Sequence, residues 1–313
     1  MMIRQILSMF IANKMRIFLK ERQERQMEYE SGLVLEGGGT RGVFTAGVLD
    51  FFLEKKLEFP YVIGVSAGAC NALNYIAKQK GRTRKCMIDS LSSSKYVSIR
   101  KFFKDKSLFD LDLIFDIFPN RLIPFDYSTY FQYKGHCKMV ATDCVLGKAV
   151  YLEEKRSKKR LMECCRASSS LPFLAPPVFV DSIPLLDGGV ADSIPIKKSL
   201  LDGNKKNVLI LTRKRGYRKK VSSTKLFQGK ILYREYGLLR QALENRPLHY
   251  NHTMDFIEKL EEQGDIFVIR PQIKPIDRTE QNPETLTSFY LHGYDYARRI
   301  YPKLIQYLEK TKK

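Results

Sequence analysis

With 313 residues and 44% hydrophobic side chains, the chain can bury a large core, and no run in it approaches the apolar length needed to span a bilayer. Its formal net charge of +20 implies attraction to polyanions; no zinc-finger spacing or RNA-binding signature accompanies that charge, so no nucleic-acid partner is expected. The six cysteines (Cys70, Cys86, Cys137, Cys144, Cys164 and Cys165) form no Cys-Xaa-Xaa-Cys pair. That argues against a metal site or a disulfide framework and for buried thiols in a reducing, cytoplasmic setting.

In residues 1–26, Ile3, Ile6, Leu7, Phe10, Ile17 and Phe18 fall at helical spacing among Arg4, Lys14, Arg16 and Lys20. The pattern suits a basic helix lying in a membrane interface, and the lack of a small-residue cleavage site speaks against a secretory signal. Met27, just before the first strand, offers the other reading: a true start there makes residues 1–26 an artefact, and the leader 1–30 as a whole is otherwise an amphipathic basic stretch or a disordered one.

The first strand-like run, Leu33 to Leu35, leads into Gly37-Gly38-Gly39-Thr40-Arg41-Gly42 and a helix from Val43 to Lys55. A second strand, Tyr61 to Ile63, leads into Gly64-Val65-Ser66-Ala67-Gly68 and a helix from Ala69 to Lys78. Two strand–turn–helix units put both turns on one rim of a parallel sheet. The second reads as a nucleophile elbow, a tight turn with small neighbours that projects the serine hydroxyl near a helix N-terminus. The first can turn backbone N–H groups inward, since glycine places no Cβ in the way. A dinucleotide reading of the first turn wants an acid ending the second strand; Glu58 precedes that strand instead.

After a polar break at Gly81 to Arg84 and a helix through Leu91, aromatic residues crowd Tyr96 to Tyr133. They read as core, or else as a cap over an acyl-binding cleft. A hairpin is expected from strands Lys138–Thr142 and Ala149–Leu152, then a helix from Lys155 to Ser168. Strands Val178–Val180 and Ile183–Leu186 lead into Asp187-Gly188-Gly189, an acid held at a strand end. Asn207 to Thr212 has the pattern of a buried strand. The basic run from Arg213 to Lys220 reads as a solvated linker, followed by two helix-like segments to Glu262, a strand at Ile266–Ile269 and a helix from Thr285 to Lys310.

The glycine loop 37–42, the elbow 64–68 and Asp187-Gly188-Gly189, in that order, resemble the patatin-like phospholipase family. Val140-Ala141-Thr142-Asp143 and Ala167 to Pro172 are also similar to family segments, so the resemblance spans about residues 31–212. It implies a three-layer α/β/α sandwich with a central, mostly parallel sheet, and a mainly helical C-terminal extension over 213–313. It further implies a lipid acyl hydrolase of the phospholipase A or lysophospholipase kind, with Ser66 as nucleophile, Asp187 as proton acceptor and an oxyanion hole from Gly37, Gly38, Gly39, Thr40, Arg41 and Gly42. Gly64, Gly68, Gly188 and Gly189 complete the elbow and base motifs, and no metal or cofactor is called for.

The histidines agree with a dyad in place of a triad. A hydrolase triad on this topology wants a histidine in a loop after the last core strands; of His136, His249, His252 and His292, His249 and His252 are the plausible candidates, and their helix-like, charged surroundings read as surface. A transacylase or small-ester esterase would use the same dyad, and a lipid- or nucleotide-binding module would use none. The expected partners are phospholipid or another lipid ester and, peripherally, an anionic membrane surface.

Overall fold

The computed structural model describes residues 31–92, 111–221, 228, 229 and 231–310. The leader and much of the aromatic-rich segment, residues 93–110, lie outside the described residues. The elements that position the site are β1 (Ser31–Leu35), α1 (Gly42–Glu54), β2 (Tyr61–Val65), α2 (Ala67–Ile76), α3 (Tyr127–Gln132), β3 (His136–Asp143), β4 (Ala149–Leu152) and α4 (Lys158–Ser169). They continue with β5 (Val178–Val180), β6 (Ile183–Asp187), α5 (Ile196–Leu201), β7 (Lys206–Ile210), α6 (Gly237–Glu262), β8 (Ile266–Ile269) and α7 (Pro283–Glu309).

Eight strands form one sheet in the order β5-β6-β3-β2-β1-β7-β8, with β4 alongside β3. Strands β3, β2, β1, β7 and β8 run parallel, while β4 and β6 are antiparallel to β3. In β1, β2 and β7 nearly every side chain is buried, because helices cover both faces of a parallel sheet. Alternate residues serve opposite layers. Leu33, Leu35, Val62, Val208 and Ile210 face a core completed by α1, α2, α4 and α7. Val34, Ile63, Val65 and Leu209 face a smaller core with Ile196 of α5 and Tyr250, Met254 and Ile257 of α6. The three-layer α/β/α sandwich expected from the sequence is the observed fold.

The C-terminal segment is knitted into this body. Strand β8 extends the sheet beyond β7, and α7 lies on α1 so closely that a Cβ on Gly47 would come within 2.1 Å of the Tyr290 carbonyl oxygen. Phe44 of α1 meets Phe289 with ring centroids 5.6 Å apart, and the Tyr290 hydroxyl donates to Asp50 at 2.6 Å. Of the aromatic-rich stretch, Phe125, Tyr127 and Tyr130 join the main core.

One edge of β3 sets the geometry of everything that follows. Strand β2 pairs along it as far as Val65 opposite Val140, and then the chain turns away at Ser66. Strand β6 takes up the same edge from the opposite direction, with Asp187 opposite Ala141. The bonds agree: His136 N–H donates to the Pro60 carbonyl and, further along that edge, Cys144 N–H donates to the Pro184 carbonyl. Two strands therefore point at each other end to end, and their tips are Ser66 and Asp187.

Candidate active site

Ser66 occupies the turn between β2 and α2 with φ 56° and ψ −122°, a conformation that costs a non-glycine residue backbone strain. The turn is tight enough to require its glycines. A Cβ on Gly64 would stand 2.5 Å from the Gly68 carbonyl, and one on Gly68 would stand 2.4 Å from the Leu35 carbonyl oxygen. The serine is 8% exposed and caps the N-terminus of α2.

Asp187 is 2% exposed and fixed from several sides. Its N–H donates to the Ser170 carbonyl at 2.8 Å, and its carbonyl accepts from the Thr142 hydroxyl at 2.9 Å. Its Oδ1 accepts from Gly189 N–H at 2.7 Å, while its buried Oδ2 takes no short hydrogen bond. Burial pushes the carboxyl above the usual carboxylate range; the Ser66 hydroxyl is the largest influence opposing that rise, followed by the charge of Arg246.

The segment Ser168 to Ser170 holds both partners. The Ser168 hydroxyl accepts from Ser66 N–H at 2.9 Å and donates to the Val140 carbonyl at 2.6 Å, and the Ser170 carbonyl receives Asp187 N–H. Sequence reading assigned these serines to a helix end and to a family-like segment, with no role in positioning either partner. Their periodicity carries no sign of which backbone groups they would meet.

The glycine loop follows β1 and runs beside the elbow, with Gly37 packed against Val65 and Ser66. Gly39 has φ +58°, and a Cβ there would meet the Arg278 carbonyl oxygen at 2.4 Å. That same carbonyl accepts Thr40 N–H at 3.0 Å, so the Thr40 donor expected at an oxyanion is already engaged. Thr40 acts instead as an anchor, its hydroxyl donating to the Asp277 carbonyl. Among the described residues no acceptor takes Gly37, Gly38 or Gly39 N–H. Gly42 opens α1 against Ala67 and Asn71, and Arg41 is buried with its Nε unpaired.

Two cavities of contrasting chemistry meet at Ser66. One, of about 380 Å³, presents Arg41, Arg213, Lys219, Lys220, Arg246 and Arg278 together with Glu36, Asp187 and Glu244. The other, a groove of about 70 Å³, is walled by Val43, Ala67, Met87, Leu111, Ile114 and Phe115. Gly39, Ser66 and Leu171 border both. Among the described residues no histidine lines either space; His249 and His252 are exposed on α6, and His292 stacks on Phe289 and Tyr296.

A family model described as patatin-like phospholipase matches residues 33–199, more than half of the chain. The chain belongs to the patatin-like phospholipase family. A second model, for a domain of unknown function (DUF6363), matches residues 236–309, which hold α6, β8 and α7. The chain is 32% identical over 193 residues to the uncharacterized protein YjjU of Escherichia coli (strain K12), across 58% of this chain and 51% of that protein. It thus spans about half the length of this relative. The structure of VipD from Legionella pneumophila aligns over 87% of this chain and 67% of that one, at 13% identity and a TM-score of 0.43, too distant a likeness to bear on function.

Proposed function

We propose that this patatin-like protein is a serine lipid acyl hydrolase working through Ser66 and Asp187. The supporting observation is the meeting of β2 and β6 along one edge of β3, which brings a strained serine and a buried carboxylate together at the junction of a charged cavity and an apolar groove. Asp187 accepts the proton of the Ser66 hydroxyl as its oxygen attacks an ester carbonyl whose acyl chain lies in the groove. The carbonyl π electrons move onto oxygen, where Gly38 and Gly39 N–H receive the charge. Collapse expels the alcohol, protonated by Asp187, and leaves acyl-Ser66. Water, deprotonated by Asp187, then attacks the acyl carbon and releases the fatty acid and the serine.

Raised by burial, Asp187 is a stronger base than a solvated carboxylate, as a partner for an unactivated hydroxyl requires. A fluorophosphonate probe with mass mapping tests the reading: modification at Ser66, lost in Ser66→Ala and strongly slowed in Asp187→Asn, is expected. An unlabelled wild-type protein overturns it. The net charge of +20 further supports peripheral docking on anionic membranes, read as vesicle sedimentation that weakens with salt. Arg215 and Arg218 contribute less to such docking, since they are paired with Glu262, Asp255 and Glu258. No helix among the described residues is long and apolar enough to cross a membrane.

A further inference from the structure

The larger cavity is over-supplied with positive charge. Six cationic side chains line it against three acidic ones, and none of the six has a carboxylate within salt-bridge distance among the described residues. The acids are spoken for. Glu36 is buried and accepts from Thr212 N–H at 2.6 Å and from the Tyr250 hydroxyl at 2.8 Å, while Asp187 faces Ser66. Glu244 alone is exposed.

The cations are held by neutral groups. Lys219 Nζ sits 3.8 Å from the centroid of the Tyr250 ring and donates to the Ser193 hydroxyl at 3.1 Å. Arg246 Nε donates to the Gly189 carbonyl at 2.6 Å, and the Arg213 guanidinium lies 4.3 Å above the Tyr217 ring. Arg41 is 7% exposed, with a buried Nε that has no acceptor. Burial, aided by Arg213, pulls the Arg41 guanidinium down to about 10, and burial with Arg246 pushes the Lys219 ammonium well below the lysine range. Such crowding is costly unless an anion offsets it.

Resting on the hydrolase reading above, we infer that this cavity is the subsite for the alcohol side of the substrate and takes a phosphate with no compensating cation, the headgroup chemistry of an anionic glycerophospholipid. Arginine forks and lysine ammonium groups match phosphate oxygens, and the cavity is far roomier than one phosphate needs, leaving space for the glycerol. A choline or ethanolamine headgroup would bring a cation among six others. The ester carbonyl then lies where Gly39, Ser66 and Leu171 border both spaces, with the acyl chain running into the groove.

The test compares monomeric dihexanoyl phosphatidylglycerol with dihexanoyl phosphatidylcholine. For the full chain, kcat/KM is expected to favour the glycerol lipid at least tenfold, equivalent to about 1.4 kcal/mol. Lys219→Met and, independently, Arg213→Gln should each shrink that ratio several-fold, whereas Lys159→Gln on the exposed face of α4 should not. If Lys219→Met does not fold, Arg213→Gln, whose side chain stacks at the cavity wall, carries the comparison.

Calorimetry on Ser66→Ala with both lipids separates this inference from the hydrolase reading. Selective binding of phosphatidylglycerol without turnover by the wild type would sink the hydrolase and keep the subsite. Equal turnover and equal binding of both lipids overturns the subsite. Inorganic phosphate inhibiting as strongly as glycerol 3-phosphate identifies a free-phosphate site and overturns the headgroup assignment.

Discussion

The two spaces that meet at Ser66 are built from different parts of the chain. Every residue lining the apolar groove lies between Gly39 and Leu171, inside the patatin-like segment. The charged cavity borrows its far wall from later sequence: Arg213, Lys219 and Lys220 follow β7, Arg246 and Tyr250 lie on α6, and Arg278 precedes α7. On the hydrolase reading proposed above, the bond-breaking centre and the acyl side come from the patatin-like segment and the alcohol side largely from the sequence after it. On that reading, side-chain changes in the basic run 213–220 are expected to alter leaving-group selectivity while leaving the lining of the groove unchanged.

The largest expected effect removes the centre that both spaces share. Ser66→Ala and Asp187→Asn should each lower turnover of any ester by four orders of magnitude or more, on the order of losses seen for groups that act as a unit, and the double variant should be little worse. A histidine substitution that kills a folded protein would break the picture, since no histidine lines either space among the described residues. Next, Gly39→Ala must place a methyl group against the Arg278 carbonyl at positive φ. Displacing the loop should cost about 10²- to 10³-fold in kcat on anionic and neutral esters alike, the cost of a lost oxyanion donor.

Smaller effects should fall on one side only. Met87→Trp narrows the groove and should cut kcat/KM roughly tenfold more for long acyl chains than for short ones, at unchanged headgroup preference. Equal losses at every chain length would mean that the groove does not receive the acyl chain. The smallest effect is on stability. Asp187 has a higher pKa folded than unfolded, so its stabilising contribution is complete below the unfolded value and is lost as pH rises through the folded one. Above that window its charge works against folding. Asp187→Asn is therefore expected to melt no lower than the wild type at neutral pH, by calorimetry, and the acid limb of the wild-type kcat/KM profile should lie above the ordinary aspartate range.

Much of the sheet was legible because its strands are apolar runs bounded by glycine, proline or charged residues. Tyr61 to Ile63, Ala149 to Leu152, Val178 to Val180 and Ile266 to Ile269 all lie within observed strands. The motif residues could be read because tight turns allow few side chains; Gly64 and Gly68 touch backbone in the fold. Contacts that depend on register could not. That Ser168 would reach Ser66 N–H, or that Arg278 would engage Thr40, follows from how α4 and the approach to α7 land, which no local pattern encodes. The basic run 213–220 misleads for the same reason. As a string it reads as a solvated linker, yet Arg213 and Lys219 line the cavity and Arg218 pairs with α6. An excess of cations directly after β7 was the available signal.

The packing of α7 on α1 also bears on the order in which a nascent chain becomes competent. Helix α1 emerges early in synthesis, but its outer face is covered by α7, through Phe289, Tyr290, Gly293, Tyr294 and Tyr301, which follow it by more than 200 residues. The loop before α1 is likewise fastened by the Arg278 carbonyl. Contacts so distant in sequence form late. A ribosome-bound chain that already displays Ser66 and Asp187 still lacks the clamp on its glycine loop, so on the hydrolase reading proposed above activity is expected only once translation has passed α7.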